Sequence, residues 1–589
     1  MTPKILLHRV LLLAAVFSAV SVGRADDAFY LKDGDRVVFY GDSITDQRLY
    51  TTFTETFVVT RFPNLKVDFV HSGWGGDRVG GGGGGNIATR LERDVFTYKP
   101  TVMTVMLGMN DGSYRAFDDK IFATYDTGLR SIVEKVQSTL PGIRLTLIQP
   151  SPFDDVTRDP KFPGGYNAVL VRYADAVKAI AEANHQTVAD LNSPLVAMLE
   201  KAKAADAQSA AKIIPDRVHP GASGHLIMAE QVLKAWNAPS LVSGVEIDAS
   251  AGKVVHAMNT NVSALKIAAD SAEWTQLDKA LPMPVDLANP ETALAVKSSD
   301  FVEALDRQPL RVTGLKTASY ELQIDGRKIG VFASVDLAAG INLAVLATPM
   351  AAQAAEVHKL TLQRANLHNI RWRAFQVPYA NATPAVKEGL PAVIESLDAA
   401  DRAAAVMQRA SAQPVAHQFK LIALSAETVA LQGDAIDTVP ADFGLNLALG
   451  KKWQSSAPNT YGWDSGLTDG SWAGANKTTY ATNDSSAFPK TVTVDLEAAS
   501  KIGRIVVGVP GFGSTKTIEV SVSADGAQFT TVGRYGFSLK KEEKHLFAFE
   551  MVTARYVRLT YLDHHDEQAG YPVNFAFTSD LQVFAPAAK

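Results

Sequence analysis

Short apolar runs alternate with stretches of helical period from about Asp35 to Trp236. Arg36-Val37-Val38-Phe39-Tyr40 ends at a glycine turn. Similar runs follow at Val67 to His71, Thr101 to Leu107 and Ile143 to Gln149, with a weaker one at Thr187 to Leu191. Between them, Asn86 to Phe96, Tyr125 to Val136, Tyr173 to Asn184 and Gly224 to Trp236 repeat their apolar positions every three to four residues, as helices do. Strands that are apolar on both faces and joined by helices predict an α/β domain with a doubly wound parallel sheet. In such sheets ligands gather outside the carboxyl ends of the strands. The polar clusters of this stretch follow those ends.

From about Ser243 to Val345 the pattern changes to alternation and turns, as in Tyr320-Glu321-Leu322-Gln323-Ile324-Asp325-Gly326-Arg327, which predicts a β-rich accessory region. Met350 to Phe375 and Ala385 to Ala410 are long, alanine-rich and amphipathic, so they are expected to be helical and to pack back on the first domain. From Asn446 to Phe584 short apolar runs separated by Gly, Asp, Asn and Ser predict a β-sandwich. The expected organisation is therefore 1–25, an export signal; 30–238, the α/β domain; 239–345, β-rich; 346–440, helical; and 441–589, the sandwich.

The export signal rests on Lys4, His8 and Arg9 ahead of an apolar run from Val10 to Val22, with small residues at Gly23 and Ala25. That run is short for a membrane span, which needs about 20 residues. No later stretch is long and apolar enough, so the expected location is secreted or periplasmic. A net charge of -5 lacks the basic footprint of a nucleic-acid binder. The chain has no cysteine, which excludes disulfides, thiolate catalysis and Cys-ligated zinc. There is also no His-Glu-x-x-His zinc signature.

Four segments carry candidate chemistry. Gly41-Asp42-Ser43-Ile44-Thr45 follows the first strand, where a serine at a strand-to-helix turn exposes its hydroxyl. Gly73-Trp74-Gly75-Gly76-Asp77 follows the second, and glycine there lets the backbone approach a substrate. Gly108-Met109-Asn110-Asp111 follows the third and offers a side-chain amide. Asp216-Arg217-Val218-His219 precedes the last helix, spaced so that the aspartate orients the histidine. His225 is a rival base, but the Asp216 spacing favours His219 and leaves His225 a structural role.

These four segments resemble the blocks of the SGNH (GDSL-type) hydrolase superfamily over roughly the first 240 residues. The resemblance implies a flavodoxin-like fold. It also implies Ser43 as nucleophile, His219 as base, Asp216 as orienting acid, and an oxyanion hole from the Ser43 N–H, the Gly76 N–H and the Asn110 side chain. No cofactor is implied for catalysis. This chain has Ile44 where the family's signature has leucine, and His71 where an asparagine often precedes the second block's glycines.

The C-terminal region resembles a discoidin-like (coagulation factor 5/8 type C) module, a kind that often binds carbohydrate. The resemblance rests on Asn446-Leu447-Ala448-Leu449-Gly450-Lys451, Leu467-Thr468-Asp469-Gly470, Val494-Asp495-Leu496, Ser521-Val522-Ser523-Ala524-Asp525-Gly526 and Ala554-Arg555-Tyr556-Val557-Arg558-Leu559. It implies a structural calcium with Asp469 as a candidate ligand, and the same aspartate fits a plain β-turn equally well. Tyr461, Trp463, Trp472 and Tyr571 are candidates to stack on sugar rings. Together the pieces point to a secreted serine esterase acting on O-acyl, chiefly O-acetyl, groups of an acylated carbohydrate or polysaccharide, with glycan held by the C-terminal module. A lipase, lysophospholipase or thioesterase on the same fold, or a non-catalytic adhesion protein, are the alternatives.

Overall fold

A computed structural model describes residues 28–317, 319–379, 383–424, 434–440 and 443–585. The expected export signal lies outside these residues. The chain divides into two compact units, the first reaching Ile422 and the second running from Ala423, with Thr317–Ser319 assigned to the second. Among the described residues no helix is long and apolar enough to cross a membrane.

The first unit is built on five parallel strands: β1 (Arg36–Gly41), β2 (Asp68–Gly73), β3 (Val102–Met106), β4 (Arg144–Ile148) and β5 (Thr187–Ala189). Their order is β2-β1-β3-β4-β5, so the winding reverses at β1 and leaves a crevice at the carboxyl ends of β1 and β3. This is the flavodoxin-like, doubly wound sheet. Val37, Val38, Phe39 and Tyr40 are fully buried, because helices cover both faces. Those used below are α1 (Ser43–Asp46), α2 (Leu49–Arg61), α3 (Ile87–Asp94) and α4 (Ala222–Ala235).

Two further sheets follow. Gly244–Asp248 pairs in parallel with Pro309–Thr313. Ser271–Asp278 pairs with Thr260–Ile267 on one side and with Ala416–Leu424 on the other, where Trp274 stacks on Phe419 at 5.2 Å. That last strand comes from beyond the long helices and lies in the middle of a five-stranded sheet, between Ser271–Asp278 and Ser319–Ile324. Short helices at Pro290–Ser298, Phe301–Leu305 and Ser334–Ala339 interrupt the β-rich stretch.

The long helices are α5 (Pro349–Ile370) and α6 (Pro384–Ser411). Thr348 caps α5 through its hydroxyl, which accepts the Ala351 N–H at 3.1 Å, and Pro349 occupies the first turn where no amide partner is lost. Both helices dock on α2. The Arg364 guanidinium meets Glu55 at 2.9 Å, Gln408 donates to the same carboxylate at 3.0 Å, and His358 stacks on Phe53 at 4.7 Å. After Ile370 the helix widens into a π turn, Arg371–Gln376.

The second unit is a mostly antiparallel β-sandwich. Its two long strands, Lys490–Val509 and Glu543–Tyr561, pair along their length with register shifts between Asp495 and Ser500 and between Ile502 and Arg504. Bulges of this kind bend a strand. The first part of Lys490–Val509 pairs with Trp453–Ser455, and its last part with Asp580–Phe584. Val492, Val494, Ile505, Val507, Val520 and Leu559 fill the core.

Candidate active site

Chain geometry at the ends of β1 and β2 brings α1 against the sheet. A methyl group on Gly41 would lie 2.2 Å from the Thr45 hydroxyl, and one on Gly73 would lie 2.2 Å from the Asp46 amide. Only glycine permits that approach. Asp42 starts α1 by accepting the Ile44 N–H at 3.0 Å, and Ser43 stands at the first helical position.

The Ser43 hydroxyl lies 2.8 Å from His219 Nε2, and His219 Nδ1 lies 2.7 Å from Asp216 Oδ2. The other carboxylate oxygen of Asp216 accepts the backbone N–H groups of His219 at 2.7 Å and Val218 at 2.9 Å. Burial alone would raise the Asp216 carboxyl; these hydrogen bonds outweigh it and hold the group below the usual carboxylate range. An ionised Asp216 fixes the proton on Nδ1 and leaves Nε2 free to accept from Ser43. Arg217, between them, takes a left-handed φ of 75°. It is pinned by the loop after β4, with its guanidinium donating to the Asp159 carbonyl at 2.8 Å and its own carbonyl accepting from Asp154 N at 2.9 Å.

Gly76 sits beyond β2 with φ 79°, and among the described residues its N–H has no hydrogen-bond partner. The Asn110 side chain donates one Nδ2 hydrogen to the Asp77 carbonyl at 3.1 Å and accepts from the Tyr114 hydroxyl at 2.9 Å. Tyr114 thereby fixes which end of the amide is the donor. Behind this loop lie buried carboxyls. Burial pushes Asp42 up to about 7 and Asp111 up to about 6, and in Asp42 the neighbouring Asp111 and Asp77 add to it. Asp77 is paired with Arg90 of α3 at 2.7 Å.

His225 is fully buried in α4. Its Nδ1 accepts the Tyr50 N–H at 3.2 Å and its Nε2 meets Gln47 Oε1 at 3.0 Å, and burial pushes its pKa down to about 3. It is a neutral structural histidine. His71 likewise points away from the serine, towards Thr51 at 2.8 Å and Glu55 at 3.4 Å.

The serine opens into a cleft of about 650 Å³ lined by Ser43, Asp46, Gln47, Arg48, Trp74, Asn369 and Arg373. Asn369 lies in the last turn of α5 and Arg373 in the π turn. Arg373 donates to Asp46 at 2.9 Å and to the Gly73 carbonyl at 3.2 Å, and its guanidinium lies 3.3 Å over the Trp74 ring. The middle of the chain thus supplies one wall of the cleft. Arg48, Tyr114, Asn369 and Arg373 carry no local signal in the sequence, because each matters only through a contact made in the folded chain.

In the second unit Tyr461, Trp463 and Tyr571 meet around a pocket of about 320 Å³ with Asp484, Pro572, Phe575 and Phe577. Tyr461 is 61% exposed, and its hydroxyl donates to Asp484 at 3.2 Å. Trp472 is elsewhere, packed with Phe443, Val506 and Phe584. Asp469 caps its own turn by accepting the Ser471 N–H at 2.8 Å, beside the buried Asp580, whose carboxyl burial and then Asp469 push up to about 7. Among the described residues no three His, Cys, Asp or Glu side chains come together as metal ligands.

Comparison with known proteins matches one stretch in each unit. Residues 39–227 match the GDSL-like Lipase/Acylhydrolase family, and residues 466–559 match the NedA-like, galactose-binding domain. An acetylxylan esterase of Geobacillus stearothermophilus is 26% identical over an alignment of 223 residues that covers 34% of this chain and 93% of that protein. The structure of BT4096, described as a gut microbial diltiazem-metabolizing enzyme, is 27% identical. It aligns with a TM-score of 0.59 over 68% of this chain and 99% of its own. The chain joins a GDSL-like lipase/acylhydrolase domain at its N-terminal side to a C-terminal galactose-binding, F5/F8 type C-like domain.

Proposed function

We propose that this protein is an exported serine esterase that removes O-acyl groups, chiefly O-acetyl, from carbohydrate. The observation that carries the reading is the continuous Asp216–His219–Ser43 chain at 2.7 and 2.8 Å. In the proposed reaction His219 Nε2 takes the Ser43 proton as Oγ attacks the ester carbonyl. The tetrahedral oxyanion is held by the Ser43 N–H, the Gly76 N–H and the remaining Asn110 Nδ2 hydrogen. His219 then gives its proton to the departing alkoxide, leaving an acyl-serine. Water, deprotonated by the same imidazole, attacks the acyl-serine; the acid leaves and Ser43 recovers its proton. The likeness to an acetylxylan esterase and the galactose-binding domain support a carbohydrate ester as substrate. Export rests on residues 1–25.

The test is Ser43→Ala. Hydrolysis of p-nitrophenyl acetate is expected to fall by about 10³-fold or more, and labelling of Ser43 by a fluorophosphonate is expected to disappear in the variant. Undiminished turnover in a folded Ser43→Ala protein overturns the assignment. Asn110→Ala is expected to cost about 10²–10³ in turnover, the usual loss for one oxyanion donor.

A further inference from the structure

Arg48 stands in the cleft beside Ser43 with a backbone that arginine does not favour. Its φ is 58°, in the left-handed region where glycine or asparagine is cheaper. The slot is enforced by its neighbours: the Arg48 N–H donates to the Thr45 carbonyl at 3.0 Å, and the Arg48 carbonyl accepts from the Thr52 hydroxyl at 2.6 Å. Nothing in that turn needs a long cationic side chain. Among the described residues the guanidinium makes no hydrogen bond and no ion pair, although it is only partly exposed. The carboxylate whose charge it feels, Asp46, is already engaged by Arg373 at 2.9 Å and by the Gly75 N–H at 3.3 Å.

The cleft therefore holds two guanidinium groups, from Arg48 and Arg373, against the single carboxylate of Asp46. Arg373 is fixed by its ion pair and by the Trp74 ring. Arg48 keeps its donors for something else. A third cation, Arg78, is exposed two residues past Gly76, outside the cleft lining, and also lacks an ion pair among the described residues. A guanidinium presents parallel N–H groups that match the two oxygens of a carboxylate. Trp74, whose ring is covered by Arg373, and the Asn369 amide line the same cleft beside Arg48.

We propose that Arg48 is a specificity-determining residue that selects acyl esters borne on an anionic, carboxylate-bearing carbohydrate, by pairing with a carboxylate on a sugar near the ester. This rests on the esterase reading above and narrows its substrate class.

The experiment compares two forms of one polymer, chemically O-acetylated polygalacturonate and the same material with its carboxylates methyl-esterified, by released acetate at low salt. Wild type is expected to favour the free-acid form about tenfold or more in kcat/KM, and added salt is expected to shrink that preference. The ratio between the two polymers is then read within each variant, so a change in overall turnover cancels. It is expected to fall towards one in Arg48→Ala and Arg48→Gln, and to be partly kept in Arg48→Lys, which retains charge without the planar fork. Equal rates on the two polymers in wild type, or an unchanged ratio in the Arg48 variants, overturns the proposal. Failure of wild type to hydrolyse p-nitrophenyl acetate overturns the esterase reading instead. The salt series on wild type keeps the test decisive where a variant does not fold: a preference indifferent to ionic strength also overturns it.

Discussion

At the scale of single residues, the acid beside the serine is as informative as the serine. Asp42 is buried, caps α1, and has its carboxyl pushed up to about 7 by burial first and by Asp111 and Asp77 after it. A carboxyl raised in the folded state holds its proton better there than in the unfolded chain. Its contribution to stability is therefore full below about pH 4 and is lost as pH rises towards 7. Asp42→Asn keeps an oxygen to cap the Ile44 N–H and stays neutral at every pH. The variant and wild type are expected to be equally stable at pH 4, and the variant to be more stable by about 1–4 kcal/mol at pH 8. Denaturant unfolding of the full chain at both values measures this. A difference that does not change with pH counts against it.

Elements place these residues, and the ones missed by the sequence reading come from unexpected elements. β1, β3 and β4 were legible as short runs of chiefly apolar residues, β2 and β5 more weakly, and Gly41, Gly73 and Gly108 punctuate the carboxyl ends of the first three. The segments bearing Ser43, Gly76, Asn110 and Asp216–His219 were legible for the same reason, since each directly follows a strand or precedes a helix. The helicity of α5 and α6 was also visible in their amphipathic pattern. The π turn at Arg371–Gln376 was not, because its geometry comes from contacts such as Trp372 Nε1 donating to Asp94 at 2.6 Å rather than from local propensity. Arg373 reaches Asp46 across 327 positions of sequence, and no window along the chain contains both. The strand Ala416–Leu424 escaped notice because it follows a long helical stretch and pairs with Ser271–Asp278, far back in the sequence.

How firmly α5 and α6 hold that wall is itself testable. Glu55 of α2 is fully buried, yet its carboxyl is held below the usual range. Burial would raise it, but Arg364, His71 and Gln408 outweigh burial. Breaking such a pair strands a charge, so Arg364→Met is expected to destabilise the first unit by about 3–5 kcal/mol in urea unfolding. Glu55→Leu combined with Arg364→Met removes both charges and is expected to recover most of that loss. A single variant costing under about 1 kcal/mol means that the helices are anchored by apolar packing instead.

At the scale of the whole molecule, a small ester and a polymeric one ask different things of the same chain. A soluble nitrophenyl ester needs only the first unit's cleft. On the proposed reading a polysaccharide would also meet the second unit, and holding it there would raise the concentration of ester seen by the serine without any new contact at the serine itself. The pocket of Tyr461, Trp463 and Tyr571, with Asp484 at its edge, is the part of that unit suited to a sugar, with aromatic faces for the ring and a carboxylate for its hydroxyls. Tyr461 is the exposed member, so Tyr461→Ala removes a face without emptying the core. In the full chain this variant is expected to weaken retention on a galactose-containing polysaccharide by about threefold to tenfold, the scale of one aromatic contact. The ratio of polymer to nitrophenyl acetate turnover should fall by a similar factor at low enzyme concentration, and the deficit should close as the polymer is made saturating. Retention that survives Tyr461→Ala moves the glycan to another loop of the module. A polymer ratio unchanged despite lost retention means that the two units act on their ligands independently.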